Sequence, residues 1–372
     1  MKLGIVGWYG TETMGDRAIL DGILAIINQI EHNNTVFLGS LFPFYSERTL
    51  LEEREVFRQT APGTKVELFD VKNADACKMA IGECELLIMG GGPLMDIEEL
   101  FCVERCFRYA KKRRIKTAIV GCGVGPLNNS DYRESVRRIF ELSDAIYVRD
   151  ELSVQVVNQL FGNSFLCDNL GDPAVISIEQ FRKATQKRPA LLMNFRDYPK
   201  SAYGAVSMIE DAHFEQLISY ASEKYEEVIL VPMHTFFVGG DDRAYLTKLA
   251  RACRKENVIV VHKPMNLHEL YDLFATAQAC VGMRYHSVVM QTILNGNNVI
   301  LEYTDSKNGK IAGFIKSVDC DGFYDNRIIS LQGIKEWKFE DTMNSLLDNR
   351  TFKYRKSNMS EAYENAFKRL LD

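Results

Sequence analysis

Short apolar runs alternate with longer amphipathic stretches from the first residues of the chain onward. An apolar run of roughly four to eight residues reads as a buried strand, and apolar residues three and four apart read as a helix. On that pattern Lys2–Gly7 predicts a strand, Asp16–Ile30 a helix, Thr35–Leu38 a strand and Ser46–Gln59 a helix. Val66–Phe69 and Leu86–Met89 read as strands, Asp96–Lys112 as a helix, Thr117–Val120 as a strand and Ser130–Leu142 as a helix. Ala145–Val148 and Glu151–Leu160 add one more strand and helix. Strands alternating with helices predict a parallel sheet covered on both faces.

The polar, basic segment Glu179–Pro189 breaks this rhythm and reads as a linker. The alternation then restarts. Ala190–Phe195, Val228–Val231, Val258–Val261, Ala279–Val281 and Asn298–Leu301 predict strands. His213–Lys224, Ala244–Lys255, Leu267–Ala277 and His286–Leu294 predict the helices between them. A last amphipathic stretch, Ser360–Leu371, lies beyond the second unit and is placed to pack back on the first. The expected organisation is a Rossmann-like domain over 1–178, a linker over 179–189, a second Rossmann-like domain over 190–345 and a helical tail over 346–372. The fold class is α/β, with the two domains expected to face each other across a cleft. The length of 372 residues agrees with two domains at roughly 150 residues each.

Composition narrows the function classes. With 46% hydrophobic and 26% charged residues the chain is an ordinary globular protein. Lys and Arg number 45 against 50 Asp and Glu, a net charge of −5. That balance argues against broad nucleic-acid binding, which needs a basic face to displace phosphate counterions. Met1–Val6 already reads as strand, so no signal peptide is expected. The apolar runs are far shorter than the roughly 20 residues a membrane helix needs. Nine scattered cysteines without a C-x-x-C pair fit a reducing cytoplasm. Cys102 and Cys106 stand four apart on a predicted helix, and without a neighbouring ligand pair they read as core, not metal.

Three glycine clusters follow predicted strands of the first domain. They are Gly7-Trp8-Tyr9-Gly10 with Gly15-Asp16, then Gly90-Gly91-Gly92-Pro93, then Gly121-Cys122-Gly123-Val124-Gly125-Pro126. Ligands of open parallel sheets bind beyond the carboxyl ends of the strands, so three such turns point to a binding cleft. None is a dinucleotide fingerprint or a P-loop. Asp16 and Asp96 follow glycine turns and read as N-cap or first-turn carboxylates, with a sugar-hydroxyl contact as the alternative. Asp150 reads as a helix cap and Arg149 as a brace of the cleft, with direct ligand contact as the alternative.

The most informative stretch is Val281-Gly282-Met283-Arg284-Tyr285-His286-Ser287, where a strand gives way to a helix. Arg284 and His286 are two apart, which in an extended segment puts them on one face. Arginine forks onto carboxylates and phosphates, and histidine can pass a proton near neutrality. A helix N-terminus favours neutral His286, and a bound anion would favour its protonation, so the imidazole becomes an acid once an anionic ligand arrives. Arg196 ends another strand and reads either as a second cation for the ligand or as the salt-bridge partner of Asp197 or another carboxylate. His234 reads either as a ligand contact or as loop packing.

Taken together these motifs resemble the polysaccharide pyruvyl transferase family. The resemblance rests on Gly7 to Gly10 with Gly15-Asp16 and Ala18-Ile19, on Gly90 to Asp96, and on Gly121 to Pro126. It continues through Arg149, Asp150 and Ser153, Asp172-Pro173, Met283 to Ser287, and Lys310 to Phe314. It spans about residues 3 to 315. It implies a GT-B-like fold and transfer of pyruvyl from phosphoenolpyruvate to two hydroxyls of a sugar, giving a cyclic ketal in a surface polysaccharide or its precursor. It implies Arg284 as the residue for the donor's anionic groups, His286 as the acid and Arg196 as a match to a donor-binding arginine; Ser287 and Lys310 within the matched motifs, and His234 by its place after a strand, are further donor-side candidates. On the acceptor side it implies Gly10, Thr13, Asp16, Gly91, Gly92, Asp96, Gly123 and Gly125. Thr13, Arg17 and Cys122 stand where the family often has Asn, an acid and Gln. All three are N-terminal, so they bear on the acceptor more than on the donor chemistry.

That chemistry suits the residues. Phosphoenolpyruvate carries a carboxylate and a phosphate, which arginines and helix N-termini accept. Protonating its methylene needs a positioned acid, and the departing phosphate gains from fixed cations. No metal and no cofactor besides the donor substrate is expected. The protein is expected in the cytoplasm, and a lipid-linked acceptor would bring it to the inner membrane face. A homo-oligomer is compatible with the sequence. Two rival readings stand beside this one: a GT-B-type glycosyltransferase using a nucleotide sugar, and a non-catalytic glycan-binding member of the family. The intact Arg284–His286 pair speaks against the second.

Overall fold

A computed structural model describes the chain apart from residues 183–184, 198–208, 237–239, 305–308, 332–336 and 349. It contains two compact units, Met1–Ser177 with Ser357–Asp372, and Ile178–Lys356.

The first unit is built on a seven-stranded parallel sheet among the described residues. Its strands are β1 (Lys2–Val6), β2 (Thr35–Ser40), β3 (Lys65–Asp70), β4 (Leu86–Gly90), β5 (Lys116–Cys122), β6 (Ala145–Val148) and β7 (Asp168–Asn169). Their order is β3-β2-β1-β4-β5-β6-β7. The central strands are near-continuous apolar runs because helices cover both faces; Leu86, Leu87, Ile88 and Met89 of β4 are all fully buried. Strand order reverses between β1 and β4, which makes that edge the switch point where open sheets leave a crevice. The terminal helix Met359–Leu371 belongs to this unit. Its Tyr363 hydroxyl donates to the Gly171 carbonyl at 2.7 Å, and the Tyr147 hydroxyl donates to the Ala366 carbonyl at 3.2 Å.

The second unit has a six-stranded parallel sheet among the described residues. Its strands are β8 (Arg188–Asn194), β9 (Glu227–Leu230), β10 (Val258–Val260), β11 (Ala277–Gly282), β12 (Asn298–Glu302) and β13 (Ile328–Ser330), in the order β10-β9-β8-β11-β12-β13. The reversal here falls between β8 and β11. Across it Asn194 lies level with Gly282, and Gly282 lies level with Ile300 of β12.

The structure departs from the sequence pattern in a few places. The predicted helix Ser46–Gln59 is two helices, Pro43–Glu52 and Arg54–Thr60, divided at Glu53. Glu53 is fully buried and accepts from Arg17, so the chain turns inward there. The helix expected from Asp96 begins at Leu100. The helices Ala74–Gly82, Ala174–Phe181, Lys310–Val318 and Phe339–Leu347 and the strands β7 and β13 lack a strong local pattern and emerge only in the structure. Within Glu179–Pro189, the helix Ala174–Phe181 runs through the first residues and β8 takes the last ones, while Lys183 and Ala184 lie outside the described residues. Cys106 packs beside Cys77, with sulfurs 3.9 Å apart in the core. Among the described residues no helix is long and apolar enough to cross a membrane.

Candidate functional site

At the switch point of the second unit one buried side chain ties three strand ends together. The Asn194 amide donates to the Val231 carbonyl beyond β9 at 2.8 Å, and its carbonyl oxygen accepts the backbone N–H of Arg284 beyond β11 at 3.0 Å. Asn194 is fully buried, so both bonds form where water cannot compete.

Arg284 is the N-cap of the helix Tyr285–Leu294 and has extended φ/ψ of −77° and 141°. Its guanidinium donates through Nε and Nη2 to the buried carboxylate of Asp242, with Nε at 3.1 Å and 2.8 Å from the two oxygens. The same carboxylate accepts the backbone N–H groups of Met233 and His234, both at 3.0 Å. Asp242 thus fixes the Arg284 side chain and the His234 loop to one point. His234 is itself buried.

The helix starts at Tyr285, so the extended-strand argument for a shared Arg284–His286 face ends at Arg284. His286 instead occupies the first helical turn, half-buried, its ring edge-on to Tyr285 at 4.9 Å. The first helical bond runs from Val288 N–H to the Arg284 carbonyl at 3.0 Å, so the N–H groups of Tyr285, His286 and Ser287 precede it at the positive end of the helix. Ser287 departs from expectation. Its side chain is fully buried and its hydroxyl accepts from Gln291 at 2.8 Å, because Gln291 fills the space beneath Gly282. Its backbone N–H is what it can present to a ligand.

Lys310 opens the helix Lys310–Val318, with Nζ 6.0 Å from the Tyr285 ring. Arg196 lies over the ring of Tyr303, 5.4 Å from its centre, and its Nη1 donates to the Tyr303 hydroxyl at 3.4 Å. Its Nε donates to the backbone carbonyl of Asp197, not to the carboxylate. Burial works against ionising Tyr303, but Lys310, Arg196 and Arg284 outweigh it and bring the phenol below its ordinary value of 10.0. Three predicted donor-side cations from three separate elements therefore act on one hydroxyl. Beside it, burial holds the Glu302 carboxyl above its ordinary value, and that carboxyl accepts from the Thr304 N–H at 2.8 Å. Tyr303, Asn194 and Asp242 carry no motif, and the sequence alone did not single them out as site residues.

The first unit assembles its glycine turns side by side. A Cβ on Gly7 would lie 2.4 Å from the Gly90 carbonyl oxygen, so β1 and β4 can end this close only with glycine there. Gly92 has φ +74°, and a Cβ there would lie 2.2 Å from the Trp8 ring. The Trp8 indole donates to the Pro93 carbonyl at 2.9 Å. The second and third turns are stitched together, Leu94 N–H to Gly123 carbonyl and Gly125 N–H to Leu94 carbonyl, both at 2.8 Å. Gly123 is covered by Arg149, which donates to Asp150 at 3.0 Å, and Asp150 caps the next helix through Ser153 N–H at 2.7 Å. Asp96 is not a helix cap: it accepts the N–H groups of Asn128 and Asn129 at 2.8 Å and 3.2 Å and so ties down the loop after the third turn. Thr13 caps the first helix, accepting Asp16 N–H at 3.0 Å, and its hydroxyl donates to the Asp16 carboxylate. Gly10, Thr13 and Asp16 line one small pocket with Trp8, Glu12 and Arg17. Gly91 sits against Tyr9.

Arg17 is 5% exposed, and its two terminal nitrogens pair with Glu12 at 2.7 Å, Glu53 at 3.0 Å and Glu52 at 2.7 Å. Glu12 also accepts from Arg48 and Thr49, both at 2.9 Å. A cation at this position is thus matched by its own carboxylates. Among the described residues no group of three or more His, Cys, Asp or Glu side chains is placed to hold a metal ion.

The sequence model of the polysaccharide pyruvyl transferase family matches residues 14–306. No curated protein matches the chain in sequence. Among solved structures, the UDP-GlcNAc 2-epimerase from Methanocaldococcus jannaschii has a TM-score of 0.63 at 12% identity, covering 100% of this chain and 99% of that one. The S. aureus MnaA–UDP co-structure has a TM-score of 0.60 at 11% identity, covering 100% and 96%. Anabaena HepE in complex with UDP-glucose has a TM-score of 0.57 at 11% identity, covering 100% and 96%. At these identities the likeness shows the fold alone, a two-domain α/β fold of the GT-B type.

Proposed function

The chain belongs to the polysaccharide pyruvyl transferase family, and from that premise we propose that it moves the pyruvyl group of phosphoenolpyruvate onto two hydroxyls of a saccharide, closing a cyclic ketal and releasing phosphate. The observation that carries this reading is the convergence of Arg196, Arg284 and Lys310 at the switch point of the second unit. A small dianionic or trianionic donor is the kind of ligand such a cluster suits.

In this reading Arg196, Lys310 and the Nη1 edge of Arg284, which Asp242 does not use, receive the donor's phosphate and carboxylate. The N–H groups at the start of the helix Tyr285–Leu294 add to that cradle. Asp242 keeps the guanidinium from collapsing onto the anion in an unproductive orientation. His286 gives a proton to the donor's methylene carbon, which makes C2 electrophilic. One acceptor hydroxyl adds at C2. Phosphate leaves as charge grows on it, the moment at which fixed cations contribute most. The second hydroxyl then adds to the same carbon, and the protons of the two hydroxyls pass to the base form of the acid and to phosphate. The glycine turns of the first unit, with Gly10, Thr13 and Asp16, are assigned to the saccharide. No cofactor beyond the donor is assigned. A lipid-linked acceptor would bring the chain to the cytoplasmic membrane face.

Purified protein incubated with phosphoenolpyruvate and a panel of saccharides tests the reading. Phosphate release that depends on saccharide, with a product heavier by one pyruvyl ketal, supports it. Turnover of a nucleotide sugar in place of phosphoenolpyruvate contradicts it.

A further inference from the structure

The hydroxyl at the centre of the cation cluster has a consequence for the donor. Arg196 and Arg284 each stand two residues past a level rung of β8 and β11, Asn194 and Gly282. Tyr303 stands three residues past Ile300, the rung of β12 level with Gly282. The two guanidiniums and the phenol thus leave three adjacent strands at nearly the same height. Tyr303 is 1% exposed, and Arg196 is held both to its ring face and to its oxygen. A ring that anchors a cation through its face and its hydroxyl together occupies the role a ligand oxyanion would take.

We infer that Tyr303 is a positioning residue that serves as the resident counter-anion of the donor site, holding Arg196 in the donor's absence and yielding the surrounding cations to the donor when it binds. The inference rests on the donor reading above. Among the described residues the charged groups acting on the phenol are Arg196 after β8, Arg284 at the start of the helix after β11, and Lys310 on the helix after β12. Asp242 holds Arg284, and Glu302 precedes the phenol with its carboxyl accepting from Thr304. In the unliganded protein these cations outweigh burial, and the phenol ionises below its ordinary value of 10.0. A bound phosphate or carboxylate spends the same positive charge, so the phenolate oxygen takes one proton from solvent as the donor arrives. Binding and protonation are then linked. Donor affinity falls as pH rises past the phenol's value in the unliganded protein, by up to about tenfold per pH unit for one proton.

The test compares wild type with Tyr303→Phe, which keeps the ring beneath Arg196 and removes the proton. In the absence of ligand, the ultraviolet phenolate band of the wild type should show one tyrosine ionising ahead of the rest, missing from Tyr303→Phe. Arg196→Gln should move that step to higher pH. With phosphoenolpyruvate as the probe, the wild-type dissociation constant should rise across the same step, and calorimetry in buffers of different ionisation heat should show uptake of one proton. Tyr303→Phe should bind with neither the pH slope nor the uptake. Equal slopes in the two proteins, or no early phenolate, overturn the role of Tyr303 and leave the donor reading standing. Absence of phosphoenolpyruvate binding at every pH overturns both.

Discussion

Asp242 and Arg284 lie 42 residues apart in the chain and meet as a bidentate pair at the switch point of the second sheet. The carboxylate is 2% exposed and also accepts two backbone N–H groups, so it is satisfied on every side. Few arrangements hold an arginine more firmly, because the fork geometry of the guanidinium matches the carboxylate and leaves little rotamer freedom.

Replacing Asp242 by Ala therefore leaves a part-buried guanidinium and two N–H groups without their acceptor. The expected loss is about 3 kcal/mol of stability, together with a rise of the Michaelis constant for phosphoenolpyruvate of tenfold or more. Denaturant unfolding and steady-state kinetics check the two parts separately. Unchanged donor saturation in a folded variant would show that Arg284 does not need its clamp.

Arg17 makes the corresponding case in the first unit. Glu12 and Glu53 have no exposed side-chain surface; Glu53 is paired with Arg17, and Glu12 shares Arg17 with Arg48. Arg17→Leu should cost about 3–5 kcal/mol, since the buried Glu53 loses its cation and Glu12 is left with Arg48 and Thr49. The double variant Arg17→Leu with Glu53→Gln should recover part of that loss. A double variant no more stable than the single one contradicts the network.

Asp21 sets a pH dependence. Burial raises its carboxyl to about 6, against the pull of hydrogen bonds from Ser177 and Thr60. The folded value lies above the unfolded value of 3.8, so the contribution is full below that value and is lost as pH rises through about 6. Stability should fall by about 3 kcal/mol from this group between acid and neutral pH. Asp21→Asn should flatten that fall, measured by unfolding midpoints across the range. An identical pH slope in wild type and variant contradicts it.

Much of this was legible in the residues. Strands β4, β5, β8 and β11 are apolar enough to be read directly, because a strand covered on both faces must be apolar throughout. The glycine turns and the Arg284–His286 stretch announce themselves because their chemistry is local. Asn194, Asp242 and Tyr303 do not. Each is an ordinary residue at a strand end or helix start, and each gains its part from a neighbour brought close by strand order. Asp96 shows the opposite failing: a carboxylate after a glycine turn looks like a helix cap, yet the helix begins four residues later and the carboxylate serves another loop. The unexpected cation at position 17 likewise makes sense only beside Glu12, Glu52 and Glu53.

His286 carries the proton in the proposed reaction, so His286→Ala should lose most turnover while its unfolding midpoint stays close to that of the wild type. Arg284→Ala should act chiefly on donor binding. A His286→Ala protein releasing phosphate at near wild-type rate would take the imidazole out of the mechanism.

The most direct measurement of the central claim is mass spectrometry of a saccharide panel after incubation with wild-type protein and phosphoenolpyruvate, with His286→Ala in parallel. The wild type should yield a saccharide carrying one pyruvyl ketal together with equimolar phosphate, and the variant almost none. A panel left unmodified while a nucleotide sugar is consumed would contradict it.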